Sequence, residues 1–499
     1  MSRPVLKRAP NGTWRRPFSM FAAAMSHSMG RRGRRVRYCR TVGSMAPQDA
    51  TMYWLSARTR NDLFLLYCLT DAGRPSAELR AFVAERSARI ADLRVRARDV
   101  PGDLDYPSWV PCEFTSDQFV EHALPQPDWS HLLTALGEVV DTGVDAAVRP
   151  WRFHLFRGIV DAPGGSGPAL VAVLQMSHSL ADGRRAAEIA RALFAEDEGD
   201  AGSNSVAGAL RTFRARAIPA PVGAVLALPR MPIRIARTAI RGYRAFRAQQ
   251  RLAELTAAGE LPPPGPDFPP SLVNNAVTEA DSAHQVRMIV CDAESLRAPG
   301  RTVTVVVLTA VSLALARYLE MRGAPVDKLG AQVPMALSDT AKSNAHNNYR
   351  SLSVDLSIDE PDLRLRADKI AATMADRRLR AQHPLLTAQD RVTDVVPAPM
   401  LRRDIARYPL DTVPDSVAGH TVVSSVYRGP ANLTFGGGPV RFTGGFPAIG
   451  SVMRLTHGVH GLGDTVTISL HADTATIPDL DAYAELLRAA LKEAAHGLK

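Results

Sequence analysis

Apolar residues recur along the chain with two different spacings, which predict mixed helix and strand over residues 45–198. Residues Pro168 to Gln175 form an almost unbroken apolar run, which indicates a strand buried on both faces. Residues Trp151 to Val160 predict a second strand. Apolar positions from Ser76 to Ile90 follow helical spacing, and the stretch Arg184 to Phe194 is rich in Ala, Arg and Glu and predicts a helix.

The later part of the chain contains a long apolar helix. Residues Thr304 to Glu320 are apolar nearly all round, so we expect a buried helix with Thr304 as its N-cap. The apolar run from Thr302 to Ala316 is shorter than the ~18–20 residues that cross a bilayer, so it predicts no membrane span. The other predicted elements are two strands and a final helix, at Val422 to Tyr427, Thr465 to Leu470 and Leu480 to Lys492.

Residues 199–270 differ from their surroundings and predict a linker that contains a basic amphipathic helix. The segment opens with Gly, Ser and Asn and closes with a proline-rich run. Spacings of three, four and seven place a set of arginines on one helical face: Arg230, Arg234, Arg237, Arg241, Arg244 and Arg251. Ile233, Ala236, Ile240 and Tyr243 fall near the other face. Two interpretations stay open, a solvated helix packed on the lobes and a membrane-surface contact through Arg234, Arg237, Arg241 and Arg244.

Length and charge set the domain organisation. A chain of 499 residues is longer than a single hydrophobic core usually accommodates, so its length predicts two lobes. The net charge of +10 is concentrated in residues 1–44, which hold eleven Lys or Arg and no acidic residue, so the rest carries 49 basic against 50 acidic residues. We therefore predict a disordered basic leader at 1–44, an N-terminal lobe at 45–198, the linker, and a C-terminal lobe at 271–499. The neutral folded part argues against a nucleic-acid partner.

The four cysteines argue against a metal site and indicate a reducing compartment. They are scattered, without a CxxC pair or a nearby histidine cluster, so we expect no metal site. Unpaired cysteines are typical of a reducing compartment, which predicts a cytoplasmic protein.

The candidate chemistry lies in the segment from His178 to Gly183, which reads HSLADG and follows the predicted buried strand. A histidine at the end of a buried strand is held rigidly, and its neutral imidazole can accept a hydroxyl proton near physiological pH. Asp182 can fix the turn, and Gly183 leaves room for a substrate and permits unusual backbone angles. Two structural roles remain open: His178 as a core histidine, and Asp182 as the N-cap of the next helix.

Several further blocks stand in a consistent order around this motif. They are MAPQDA at residues 45–50, RPWRFHL at 149–155, VPM at 333–335, Asn347 followed by VDL at 354–356, and IPDLD at 477–481. With these blocks the chain resembles the bacterial wax ester synthase/diacylglycerol acyltransferase family of the coenzyme A-dependent acyltransferase superfamily. The resemblance implies an α/β fold of two similar chloramphenicol-acetyltransferase-like lobes with mixed sheets, joined by a helical linker.

The chain departs from the family pattern at three places. Ser177 stands where the family usually has the first of two adjacent histidines, and Thr304-Val305 stands where it often has Asn-Asp. The glycine-rich block late in the chain reads SSVYRGP at residues 424–430. His178 is the histidine shared across the superfamily, so the resemblance implies that the base is retained.

The resemblance also implies a reaction. His178 would remove a hydroxyl proton, the oxygen would attack the thioester of acyl-CoA, and Asp182 would support the loop. Acyl-CoA would be a substrate, the acceptor a hydroxyl-bearing lipid, and no cofactor would be needed. We expect a cytoplasmic enzyme with peripheral contact at the inner membrane face or a lipid droplet. A catalytically weak lipid-binding homologue and a condensation-type enzyme of secondary metabolism are the alternatives.

Overall fold

The computed structural model of the protein describes residues 43–195, 229, 231–276, 283–337 and 345–499. The predicted leader, apart from its last two residues, and most of the first half of the linker, including Arg230, lie outside the described residues.

The nine helices and strands predicted from the spacing are present in this part of the chain, together with others that the sequence did not predict. The helices are α1 (Pro47–Ser56), α2 (Ser76–Arg89), α3 (Trp129–Asp141), α4 (Gly183–Phe194), α5 (Met231–Ala257), α6 (Val303–Met321), α7 (Leu363–Ala381), α8 (Pro384–Thr393), α9 (Ala398–Ala406) and α10 (Leu480–Gly497). The strands are β1 (Gly43–Ser44), β2 (Leu63–Thr70), β3 (Val95–Arg98), β4 (Ser108–Pro111), β5 (Phe119–His122), β6 (Trp151–Ile159), β7 (Ala169–Met176), β8 (His284–Asp292), β9 (Gly330–Ala336), β10 (Tyr349–Asp355), β11 (Thr421–Tyr427), β12 (Thr434–Phe435), β13 (Gly438–Phe446), β14 (Leu455–Leu462) and β15 (Thr465–Asp473).

Two six-stranded mixed sheets form the two lobes and confirm the predicted α/β class. The first has the order β12-β13-β2-β7-β6-β5, and the second has the order β10-β9-β11-β14-β15-β8. Every residue of β7 is buried, as its apolar run predicts. The carboxyl end of this central strand therefore gives a rigid position for the residues that follow it.

The boundary between the lobes is less simple than the sequence suggested. The prediction placed all of residues 271–499 in the C-terminal lobe, but β12 and β13 belong to the first sheet. Strand β13 pairs antiparallel with β2, with Phe446 opposite Phe64. Phe442 and Phe446 are buried against the first lobe, so burial of apolar surface draws this segment across.

Helix α6 is the core helix of the second lobe. It is long and apolar enough to cross a membrane by length and composition, but 72% of its most apolar window is buried inside the protein. Its predicted N-cap is wrong, because the Thr302 hydroxyl accepts from the backbone N–H of Val305. Thr304 lies inside the helix, where its hydroxyl donates to Ser425 Oγ at 3.0 Å.

Helix α5 packs on α8, with only some of its arginines turned toward the protein. Arg234 lies 2.6 Å from the Asp105 carboxylate, and Arg241 donates to the backbone carbonyl of Arg391 at 2.6 Å. Arg237 and Arg244, on the same flank of the helix, are exposed. The arginine face therefore lies at the edge of the contact with the protein, so that Arg234 and Arg241 have partners there and Arg237 and Arg244 reach solvent.

Candidate active site

His178 lies in a tight turn between β7 and α4. The backbone N–H of Ser177 donates to the carbonyl of Pro150 at 2.8 Å, and that of Leu180 donates to the carbonyl of Ser177 at 2.9 Å. These bonds fix the turn on either side of the histidine. His178 is partly exposed, whereas both serines beside it are buried. The turn therefore holds the imidazole away from the core.

The second lobe supplies the surroundings of this imidazole. Asn347 precedes β10, and its Oδ1 lies 2.8 Å from His178 Nδ1. The ring of Tyr349, the first residue of β10, lies with its centroid 5.9 Å from that of His178. The candidate site is thus assembled by residues from both lobes, separated by about 170 positions in the sequence.

A buried carboxylate holds Asn347 in place. The amide Nδ2 of Asn347 donates to Asp49 Oδ1 at 3.0 Å and to the backbone carbonyl of His178 at 2.7 Å. Asp49 also accepts from the backbone N–H groups of His346 and Asn347 at 2.9–3.1 Å. Helix α1, which carries Asp49, therefore supports the loop that meets His178.

These bonds determine which nitrogen of His178 carries the proton. Both partners of Asn347 Nδ2 are acceptors, so the oxygen Oδ1 must be the atom that faces the imidazole. An amide oxygen can only accept, so His178 Nδ1 must be protonated. In the neutral ring Nε2 then has a free lone pair. The arrangement is that of a general base with a fixed tautomer.

Electrostatics keep this base neutral near physiological pH. Surrounding protein atoms desolvate the ring and lower the pKa of His178 below its ordinary value. Its own backbone carbonyl, the carboxylates of Asp182 and Asp49, and the hydrogen bond to Asn347 act in the opposite direction and offset only part of this effect. Burial likewise raises the pKa of Asp49, and His346 and the N–H donors counter part of that shift.

Asp182 caps α4 and also joins the two lobes. Its Oδ1 accepts from the backbone N–H of Arg185 at 2.9 Å, which is the N-cap bond anticipated from the sequence. Its Oδ2 accepts from the backbone N–H of Asn348 at 3.0 Å, and its own N–H donates to the carbonyl of His346 at 3.2 Å. Asp182 therefore places the loop that carries Asn347 against the turn that carries His178.

Ser177 and Gly183, the two other residues singled out in the motif, contribute to the local structure of the turn and of α4. Ser177 is buried, and its hydroxyl lies 2.9 Å from that of Ser179, within the turn. Gly183 is the first residue of α4, and its φ is not in the positive range. Gly183 therefore does not use the conformational freedom of glycine, since a first helical residue adopts ordinary backbone angles. A Cβ there would lie 3.7 Å from Val426 of the second lobe.

Two departures from the family pattern meet in the structure. Thr304 on α6 and Ser425 on β11 share the hydrogen bond already described, and Ser425 precedes the valine that approaches Gly183. Within the described ranges, no group of three or more His, Cys, Asp or Glu side chains could hold a metal ion.

Sequence reasoning missed Asp49 and Asn347 as parts of the site. Both lie in blocks that carry the family resemblance, at residues 45–50 and at 347, so their positions were visible. Their contact with His178 was not, because it depends on how the two lobes dock. An aspartate two residues after a proline that can begin a helix was the available signal in the sequence.

Comparisons with known proteins bear on the fold of the chain. A search of curated proteins found no match. Among solved structures, the wax ester synthase/diacylglycerol acyltransferase from Marinobacter aquaeolei VT8 is 19% identical, with a TM-score of 0.60, over 91% of this chain and 100% of that chain. A variant of the starter condensation domain of rhizomide synthetase, in complex with C8-CoA and Leu-SNAC, is 14% identical, with a TM-score of 0.52, over 91% and 95% of the two chains. These likenesses concern the fold and confirm its two-lobed form.

Family models match most of the chain. The model of the wax ester synthase/diacylglycerol acyltransferase catalytic domain matches residues 45–298, and that of the C-terminal domain matches residues 346–494. The two matches include His178, Asp182, Asp49 and Asn347. The chain therefore belongs to the wax ester synthase/diacylglycerol acyltransferase family.

Proposed function

We propose that this protein transfers an acyl group from acyl-CoA to the hydroxyl of a lipid or a long-chain alcohol, forming a triacylglycerol-type or wax-type ester. The observation that carries the proposal is the fixed tautomer of His178, whose Nδ1 donates to Asn347 and whose Nε2 is left free as a base. Membership of the acyltransferase family supports the reaction class.

The reaction needs one base and no covalent enzyme intermediate. His178 Nε2 takes the proton of the acceptor hydroxyl as its oxygen attacks the thioester carbonyl. The resulting tetrahedral intermediate collapses by breaking its carbon–sulfur bond. The departing thiolate of coenzyme A then takes the proton from the imidazolium, so the enzyme returns to its starting state. The lowered pKa of His178 favours this last step, because it makes the imidazolium a stronger acid than an ordinary protonated histidine.

Acyl-CoA as the donor is supported by the comparisons. The condensation domain that shares the fold binds C8-CoA in its structure, and the family name specifies acyl transfer to alcohols and diacylglycerol. The roles of the other site residues follow from their contacts. Asn347 and Asp182 orient the base and its loop, and neither needs to touch the substrate.

The assay is thiol release from long-chain acyl-CoA in the presence of a panel of alcohols and diacylglycerol. We expect release that depends on the acceptor, with the matching ester as product. Binding of acyl-CoA without turnover would indicate the lipid-binding alternative. Turnover only with an acyl group carried on a carrier protein would indicate the condensation-type alternative.

The poor solubility of such substrates also bears on location. We propose a cytoplasmic protein that meets its acceptor at the inner face of the membrane or at a lipid droplet. Reversible attachment suits this role, because an amphipathic helix lies in the interface without crossing it.

A further inference from the structure

The side of helix α5 that faces away from the protein is largely apolar. Five of the exposed large apolar side chains in the described residues lie on this one helix, each with at least half of its surface accessible: Ile233, Ile235, Ile240, Tyr243 and Phe246. Side chains of this size are normally scattered singly over a protein surface. Their concentration within about four turns, or roughly 20 Å of helix, indicates a surface that contacts something else.

Contacts on the opposite side fix the rotation of the helix. Arg234 pairs with Asp105 at 2.6 Å, and the Thr238 hydroxyl donates to the carbonyl of Val395 at 3.0 Å. Arg241 lies 3.7 Å from the Asp394 carboxylate in addition to its bond to α8. Because these residues recur every three or four positions, they hold one face of α5 against the protein and leave the apolar face outward.

The charges on the same helix have one sign. Residues 231–253 contain six arginines and no acidic residue. Four of these arginines, Arg237, Arg244, Arg247 and Arg251, are exposed, and the first two lie along one flank of the apolar face. An apolar surface flanked by exposed arginines is complementary to an interface that has an apolar interior and negatively charged groups at its surface.

We propose that the outward face of α5 docks on the surface of an anionic lipid bilayer. Ile233, Ile240 and Tyr243 would enter the boundary between headgroups and acyl chains, while Arg237 and Arg244 would lie among the phosphates. The helix is amphipathic and lies flat, so attachment is reversible. The biological role of this docking rests on the proposed function, whereas the physical basis of the docking is the exposed face itself.

This surface lies close to the candidate active site. Asp394, which faces Arg241, also accepts from Gln48 Nε2 at 3.3 Å. Gln48 directly precedes Asp49, the carboxylate that holds Asn347 against His178. Docking through α5 would therefore bring the membrane near the site where a lipid hydroxyl must arrive.

Flotation of the full chain with vesicles of phosphatidylcholine and phosphatidylglycerol tests the proposal. One variant carries Arg237→Gln, Arg244→Gln and Arg247→Gln, and a second carries Ile233→Gln, Ile240→Gln and Tyr243→Gln. Each arginine at an anionic surface contributes about fivefold to partitioning, so we expect the first variant to bind on the order of 100-fold more weakly in low salt. The second should also bind weakly, and its residual binding should be abolished by salt.

Matched controls separate this surface from general charge and hydrophobicity. Arg31→Gln, Arg32→Gln and Arg34→Gln remove the same charge from the leader. Leu365→Gln and Leu379→Gln remove apolar side chains of similar exposure from α7. We expect both controls to bind nearly as the parent does, and the α5 and α7 variants to keep the parent's melting temperature because the replaced side chains are exposed.

Three results would overturn the proposal. The first is that the parent does not float with the vesicles at low salt. The second is that the α5 variants float as well as the parent. The third is that the parent is a dimer and the α5 variants are monomers that float like the parent. Turnover of a soluble short-chain acyl-CoA and alcohol pair is measured in parallel. It should stay unchanged in the α5 variants, so failure of docking and failure of the acyltransferase proposal give different results.

Discussion

Replacing Asn347 tests how the site prepares its base. The Asn347→Ala variant removes the bonds of 2.8 Å to His178 Nδ1 and 2.7 Å to the His178 carbonyl, and the bond of 3.0 Å to Asp49. Asp49 keeps its backbone donors, so we expect the fold to persist. The imidazole would lose the acceptor that fixes its tautomer and orientation.

The size of the effect follows from the lost bonds. A buried group left without its partner costs about 1–3 kcal/mol. At about 1.4 kcal/mol per tenfold change in rate, we expect kcat for thiol release to fall by about 10–100-fold. This is a smaller loss than the removal of the base itself, which is about 10²–10⁴-fold.

A pH profile distinguishes positioning from mere structural support. The Asn347→Asp variant places a carboxylate beside the His178 imidazole, which stabilises the imidazolium and raises the pKa of His178. The acid limb of the kcat/KM profile should therefore move to higher pH. Asn348→Ala serves as the neighbouring control, because its side-chain amide donates to the carbonyl of Ala345. Full activity in Asn347→Ala, or an unmoved profile in Asn347→Asp, would refute the reasoning.

Three other predictions concern pH and the motif loop. Because the pKa of His178 is lowered, kcat/KM should stay level down to about pH 6.5 and fall only below it; an inflection above pH 7 would contradict this. Burial lowers the pKa of His154 and His457 to about 4 and that of His471 to about 3. Above about pH 6.5 these three histidines are neutral in both states. Below it the unfolded chain binds protons that the folded protein excludes, so each should cost about 1.4 kcal/mol of stability per pH unit down to about pH 4. A melting temperature constant over that interval would contradict this. Asp182→Asn should lower both the melting temperature and kcat, because the amide cannot accept at both oxygen positions, at a cost of about 1–3 kcal/mol. A variant as stable as the parent but as inactive as His178→Ala would indicate a direct chemical role instead.

Local pattern was sufficient to predict nine of the 25 helices and strands described. The apolar run of β7, the helical spacing of α2 and the uniformly apolar α6 each reflect the surface that the element must bury. The N-cap of α6 was misplaced by two residues, since both Thr302 and Thr304 have side chains suited to capping.

Features that depend on docking between lobes could not be predicted. Nothing in the spacing of β13 indicates that it pairs with β2 rather than with a strand of the second lobe. For the same reason the sequence identified His178 and Asp182 but not the contacts of Asn347 and Asp49. Helix α5 was recognised as amphipathic, but only the partners of Arg234 and Arg241 show which face is outward.

The central claim is that His178 is the base for acyl transfer, and the most direct measurement is thiol release by His178→Ala. Its melting temperature should stay close to that of the parent, because the side chain is partly exposed and lies outside the core. With a long-chain acyl-CoA and the best acceptor of the panel, we expect kcat to fall about 10²–10⁴-fold while acyl-CoA still binds. Near-normal turnover by a folded His178→Ala protein would contradict it.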